Sequence, residues 1–400
     1  MTKTEQIRDL AAQVNGLAGE TKNLRRREDW EDFNDECGLD YTPILISIDP
    51  HAWREIFPAE TLGVVDPVYR HVELELRKML WYASLETDMV IEPWVSMNAL
   101  YHEDSIYWHG VEMQFSEVGD ATIFNGEVIT PADVDRMHVA TPHLDGTRTL
   151  EMRDRMYALI GEYLDVRVEW RHRHLTQANF GVWTIQYIGQ QRFLEWCASE
   201  PAAVMKFMDI MAETFVRHNL EMQSRHRLTN NNCFVQDFYP WHGFRTGDTQ
   251  LSDLWLNAEA QDFQCVSPEM MERYYFTFLR PVCEMFGKVQ FGCCESLNGK
   301  LEMVKTLPNL RRVTISERTD WDYAIRTLRD NVVYSVRPCL VDTMYVHNDK
   351  QIRDDIRHMA SVFQGLRWEL NFPGPLTFNG DTTRLHRFVK IAREALQEYT

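Results

Sequence analysis

From about residue 160 onward, short β-branched or aromatic runs alternate with longer helical patterns, and this alternation limits the fold more than any other feature. The runs fall at 166–170, 180–186, 233–238, 288–293, 312–316, 332–336 and 366–371. Amphipathic segments lie between and after them, at 201–227, 268–286, 300–307, 321–329, 351–364 and 382–398. Strand followed by helix, repeated in this way, is the pattern of a parallel sheet covered by helices, either a closed barrel or an open doubly wound sheet. No GxGxxG follows a strand and no GxxxxGK[ST] occurs, so the open nucleotide-binding sheets lack their phosphate-cradling glycines. The expectation is an α/β fold, a (β/α)8 TIM barrel.

Helix starts are well marked. Ser267-Pro268-Glu269 supplies an N-cap, an N1 proline and an early acid, and Ser199-Glu200-Pro201 is similar. Earlier in the chain, 122–129 reads as a β-hairpin closed by Asn125-Gly126, a dipeptide that tolerates positive φ. Strand candidates at 43–49 and 89–95 precede it, the second running into an aromatic and His-rich stretch at 94–109. With no linker, low-complexity tract or repeat, the chain reads as one domain over 1–400. It divides into an N-terminal helical extension (1–87), a decorated first unit carrying the hairpin insertion (88–150), and the main barrel (151–400).

Lys and Arg total 42 against 60 Asp and Glu, a formal charge of −18, which repels a phosphate backbone and argues against nucleic acid as a partner. The one basic run, Lys22 to Arg27 (KNLRRR), sits late in an expected helix, where it complements the helix C-terminus or a subunit contact. No stretch approaches the roughly 18 apolar residues of a membrane span, and the first 24 residues have no apolar leader core. No membrane partner is expected. Eight cysteines without a secretion signal point to reduced thiols and a cytoplasmic chain.

Barrel enzymes work at the carboxyl ends of their strands. Those ends offer Glu92, Trp94 and Ser96 early in the chain, Trp183 and Gln186 next, and then Asp237, Tyr239, Trp241 and His242. Later strands end at Cys293, Cys294 and Glu295, at Ser316 and Glu317, at Arg337 and Cys339, and at Asn371. Such a lining is aromatic, with carboxylates and thiols converging, and suits a flat apolar or aromatic ligand better than a sugar phosphate. Each residue also has a packing explanation, since aromatics at strand ends commonly serve as core or lid. From this set Trp94, Trp183, Tyr239, Trp241 and Arg337 are the expected substrate contacts; Glu295, Asp237 and His242 are the expected proton donors.

The sharpest feature is VQFGCCESL, from Val289 to Leu297, a strand running into two adjacent thiols and a carboxylate. Strand alternation sends neighbouring side chains to opposite sides, so at most one thiol is expected to face the pocket directly. Thiolates bind Zn2+ well, and Cys339 from a later strand end offers a sulfur to join Cys293 or Cys294, with Asp, Glu or His to complete the site. Neither CxxC nor HExxH is present, and cysteine also serves as a small buried hydrophobe, so metal and packing readings both stand.

The motif order over 251–341 resembles the uroporphyrinogen decarboxylase superfamily. LSDLWLNAEAQDFQCVSPEMMERYYFTFLRPVCEMFGKVQFGCCESL looks like its acidic or polar loop, SPE-type helix start, Arg-Pro helix end and the strand bearing a His-x-Cys signature in its zinc methyltransferases. LPNLRRVTISERTDWDYAIRTLRDNVVYSVRPCLVD follows like the family's next two βα units. The resemblance implies a barrel with its active site in the C-terminal mouth. The arginine-rich motif that holds tetrapyrrole propionates in true decarboxylases has no counterpart near Arg25 to Trp30. The family's zinc-ligating His falls here at Gln290 or Phe291, and its last Cys near Asn379-Gly380-Asp381.

The resemblance therefore implies the branch of corrinoid-dependent methyltransferases. A methyl group would pass from a small O-, N- or S-methylated donor, an aryl methyl ether among the candidates, to methylcobamide chemistry on a separate corrinoid carrier protein. Zn2+ would serve as Lewis acid, or a carboxylic acid such as Glu295 or Asp237 would protonate the leaving heteroatom. Two alternatives stay open: a metal-free decarboxylase or lyase using the same pocket, and a non-catalytic corrinoid- or ligand-binding barrel. Pairing through barrel edges, common in the superfamily, makes a homodimer the expected assembly.

Overall fold

A computed structural model describes residues 2–35, 39–102, 109–111, 114–118, 121–229, 239–241 and 248–399. Its strands are β1 (Ile44–Ile46), β2 (Trp94–Asn98), β3 (Gln114–Val118), β4 (Ala121–Asn125), β5 (Asp165–Glu169), β6 (Trp255–Ala258), β7 (Lys288–Phe291), β8 (Leu310–Ser316), β9 (Val333–Arg337) and β10 (Trp368–Phe372). Six form one curled parallel sheet in the order β1-β10-β9-β8-β7-β6, β2 and β5 form a parallel pair, and β3 and β4 an antiparallel hairpin. At the β6 edge Ala178 N donates to Asn257 O, and at the β1 edge Asp88 N donates to Ile44 O. Among the described residues strand-to-strand hydrogen bonding does not run around a complete ring, so the fold is α/β with a barrel-like sheet.

Strand register explains the two faces of the sheet. Leu256, Val289, Phe291, Val313, Ile315, Val336, Leu370 and Phe372 share the main core with helix residues such as Ala324, Ile356 and Leu385. The alternate positions are polar, as the period of two requires once one face has met the helices. Gln290 pairs in register with Asn257 and Arg312, and Glu369 with Ser335. On this enclosed face Gln290 Nε2 donates to Thr314 Oγ1 (3.2 Å) and Asn371 Nδ2 to Ser335 Oγ (2.9 Å). Arg312 and Glu369, both without exposure, meet at 3.0 Å.

The first N-terminal helix packs on the β2–β5 pair, and the second closes the amino end of the six-stranded sheet. Lys3–Ala18 buries Ile7, Ala11 and Val14 with Val72 and Leu76 of the helix Pro67–Ser84 and with Val95 and Val166 of the β2–β5 pair. Thr21–Asn34 ends with Trp30 and Phe33 packed on Leu45, Val90, Val333 and Tyr239. Trp30 Nε1 donates to Asp88 O (2.7 Å), and Arg312 donates to Asn34 Oδ1 (2.7 Å).

Three sequence expectations are corrected here. Residues 180–186 are not a strand: Phe180–Tyr187 is a helix buried on most sides, so its apolar run carries no helical period. Asn125-Gly126 is not the hairpin turn, because the strands pair through Val118 and Ala121. Gly126 instead lets the chain pass the end of the helix Phe180–Tyr187, as a Cβ there would lie 2.5 Å from Tyr187 O. The strand expected at 89–95 is Trp94–Asn98, which makes Trp94 its first residue. The strand Trp255–Ala258 was not anticipated, and the one expected at 233–238 lies outside the described residues.

The helix predicted from Ser267-Pro268 begins there, with Ser267 accepting from Met270 N. It passes through a π-helical stretch, Glu272–Phe276, before Thr277–Cys283, which contains Pro281. The buried Tyr275 hydroxyl donates to Glu259 O (2.5 Å) and Ala178 O (3.0 Å), fixing the end of β6. No helix among the described residues is long and apolar enough to cross a membrane.

Candidate functional site

Beyond Phe291 the chain leaves the sheet at Gly292, whose φ of +102° suits glycine and where a Cβ would stand 3.0 Å from Thr314 O. Gly292 N donates to Ala258 O (2.9 Å), so the turn stays beside the end of β6. Cys293, Cys294 and Glu295 follow. Glu295 is buried, with Oε1 accepting from Ala260 N (3.0 Å) and Oε2 from Cys293 N (2.8 Å). Ser316 Oγ, from the last residue of β8, donates to Glu295 O (3.2 Å). The Glu295 carboxylate thus ties the ends of β6 and β7 together, and its backbone carbonyl adds the end of β8.

Arg337, the last residue of β9, reaches the two thiols. Its Nη1 lies 3.3 Å from Cys293 Sγ and 3.5 Å from Cys294 Sγ, and the sulfurs are 3.7 Å apart. The Cys293 S–H donates to Cys294, which lowers the Cys294 pKa, and the Arg337 charge lowers it further against the opposing effect of burial. The same hydrogen bond and burial raise Cys293. The hydrogen bond thus favours the proton on Cys293, and with the Arg337 charge it favours the thiolate on Cys294.

Glu259, directly after β6, completes the cluster. Burial pushes its carboxyl up to about 6, the charges of Glu295 and Asp262 add to this, and a hydrogen bond with Cys293 and the Arg337 charge oppose it. Asp262 is also raised, by burial first and then by Glu295. The buried Lys300 Nζ donates to Phe263 O (2.9 Å) and Gln264 O (3.2 Å), which holds the loop carrying Asp262 in place. A carboxyl raised to about 6, a thiol pair and a guanidinium thus meet at the carboxyl ends of β6, β7 and β9.

The structure brings Cys293, Cys294, Glu295 and Arg337 together, with both thiols rather than the expected one beside Arg337 because Gly292 takes the pair out of the strand's alternation, but it separates other members of the expected site. Trp94 is buried at the amino end of β2, with the Arg167 guanidinium 3.5 Å from its ring centroid. Tyr239 O accepts from Trp255 Nε1 (3.0 Å), and Trp241 stands edge-on to Trp255 with Lys288 over its ring at 4.9 Å. Trp255 and Lys288 begin their strands, so Trp94, Tyr239 and Trp241 lie at the end of the sheet opposite the thiols. Trp183 is buried in its helix against Phe180 and His109. Asp237 and His242 lie outside the described residues.

Cys339 is also elsewhere. It lines a cavity of about 150 Å³ with Trp321, Asp342, His347 and His358, and burial, with the Asp342 side chain adding to it, raises its thiol pKa. Among the described residues no three His, Cys, Asp or Glu side chains converge to hold a metal ion. The sulfurs of Cys293 and Cys294 already face the Arg337 cation, which competes with Zn2+ for the same lone pairs. The described donor set does not fit the expected Cys293, Cys294 and Cys339 zinc site.

Sequence reading missed Glu259 and the backbone role of Glu295. The available signal was Trp-Leu-Asn-Ala ahead of Glu259, a run too short and too polar in its third residue to stand out as a strand.

No family model and no curated protein matches the chain. Among solved structures, a methyltransferase from Methanosarcina mazei is similar in fold, with a TM-score of 0.55 over 93% of this chain and 98% of that one, at 11% sequence identity.

Proposed function

We propose that the chain is a methyltransferase of the uroporphyrinogen decarboxylase superfamily, built on a closed (β/α)8 barrel. In this reading it moves a methyl group from a small O-, N- or S-methylated donor to a corrinoid carried by a separate protein. The observation that carries the reading is the convergence of Arg337, Cys294 and Glu259 at the carboxyl ends of the strands, where barrel enzymes keep their chemistry. Similarity of fold along nearly its whole length to a methyltransferase supports it. The six described cysteines are all free, which accords with work in the reducing cytoplasm.

Loss of a methyl cation leaves an extra electron pair on the donor heteroatom, and a proton delivered there stabilises the leaving group. Glu259, with its carboxyl raised to about 6, is the residue suited to that delivery. In this reading Arg337 holds an anionic edge of the donor. Glu295 positions rather than reacts, since both its oxygens are engaged by backbone N–H groups. No step is assigned to zinc.

The test supplies the purified chain with Co(I) cobalamin and a panel of methyl ethers, methylamines and methyl thioethers, and follows methylcobalamin by absorbance. Turnover with one donor class, slowed by Glu259→Gln, is the expected result. No methyl transfer from any class, with CO2 released from a carboxylated compound, would replace this reading with the decarboxylase one.

A further inference from the structure

Cys293 and Cys294 are set up for sulfur chemistry that methyl transfer does not require. Their sulfurs lie 3.7 Å apart, and the Gly292 turn and the Glu295 clamp on Cys293 N hold the two residues where the chain leaves the sheet. Arg337 Nη1 contacts both sulfurs, an arrangement that favours a thiolate. The other described cysteines lack this setting: Cys197 and Cys283 are buried with raised pKa values, Cys265 stands exposed, and Cys339 lies in the separate cavity.

We infer that Cys293 and Cys294 form an oxidation site, at which a low-molecular-weight disulfide converts the adjacent thiols reversibly into a vicinal disulfide. The Cys294 thiolate attacks one sulfur of the reagent, forming a mixed disulfide and expelling one reagent thiolate. The Cys293 thiol then passes its proton to the Glu259 carboxylate and attacks Cys294 Sγ. The Cys293–Cys294 bond forms as the mixed disulfide breaks, and the second reagent thiolate leaves, taking up the proton from Glu259. The protein loses two electrons and the reagent gains them. Closure brings the sulfurs to about 2.05 Å, and a strained disulfide between adjacent residues is readily reduced again. Oxidation removes the thiolate that faces Arg337. This inference stands whether or not the donor is a methyl compound.

The experiment treats the full chain with glutathione disulfide, quenches in acid, alkylates free thiols and analyses the peptide containing both cysteines by mass spectrometry. The expected wild-type product carries no alkyl group and no glutathione, and dithiothreitol restores both alkylation sites. Cys293→Ser should stop at a glutathione adduct on Cys294, whereas Cys294→Ser should react at least tenfold more slowly at Cys293. Two alkylated cysteines in the treated wild type, or a glutathione adduct that persists there, overturns the inference, as does equal trapping by the two variants. If a variant fails to fold, the wild-type peptide decides alone.

Discussion

The Glu295 carboxylate accepts the backbone N–H of Ala260 at 3.0 Å across 35 residues of sequence, while its other oxygen takes the N–H of Cys293. Glu295→Ala should strand two buried donors and cost about 3 kcal/mol in urea unfolding. Glu295→Gln retains one acceptor and should cost roughly 1–2 kcal/mol. A proton donor would behave differently: its Gln variant would fold normally and lose roughly 10²- to 10⁴-fold in rate. Normal stability together with such a rate loss in Glu295→Gln would return Glu295 to the role first expected of it.

Arg337 supplies the positive charge at the thiol pair. In Arg337→Met the Cys294 pKa should rise, because a cause that lowers it has gone. The pH profile of Cys294 alkylation by iodoacetamide should then move to higher pH, with Arg337→Lys in between. An unchanged profile in Arg337→Met would mean that Cys293 alone sets the thiolate.

The parts of this arrangement that could be read from sequence are those in which side-chain chemistry and strand period agree. β7 to β10 stand out because apolar residues meet the helices at every second position, and VQFGCC marks its own strand end. β6 has only Trp255 to Ala258 and an inward Asn257, too little for a period of two to register, so Glu259 behind it went unnoticed. Trp94 was placed at the wrong end because a strand displaced by a few residues turns a last residue into a first one. Phe180–Tyr187 shows the converse limit: a helix surrounded by protein on most sides resembles a buried strand. The engagement of Glu295 by Ala260 depends on a contact between strand ends that no local pattern records.

Arg312 and Glu369 face each other at 3.0 Å within the sheet, and Arg312 also bonds Asn34 at the end of the second helix. Removing one partner leaves the other charge buried, so Arg312→Met or Glu369→Leu should each cost about 3–5 kcal/mol. The double variant should cost less than the sum, since it buries no lone charge. Additive losses in denaturant titrations would show that the pair is not energetically coupled.

Glu259 offers a prediction in which stability and activity move in opposite directions. Its carboxyl, ordinarily near 4.5, is pushed up to about 6 in the folded chain, mainly by burial. A raised pKa in the folded state means that folding favours the protonated form. The Glu259 contribution to stability is therefore fully present below pH 4.5 and is lost as pH rises through about 6. The difference of about 1.5 pKa units corresponds to about 2 kcal/mol of penalty once the group ionises. Glu259→Gln keeps an acceptor for Cys293 but cannot ionise, so it should gain up to about 2 kcal/mol over wild type at pH 8 and nothing below pH 4.5. If Glu259 is the proton donor, the same variant should lose roughly 10²- to 10⁴-fold in methyl transfer. Urea unfolding of both proteins from pH 4 to pH 8, with turnover measured alongside, separates the outcomes. A stability difference that stays flat across that range would show that the Glu259 carboxyl is not raised, and full activity in Glu259→Gln would take it out of the chemistry.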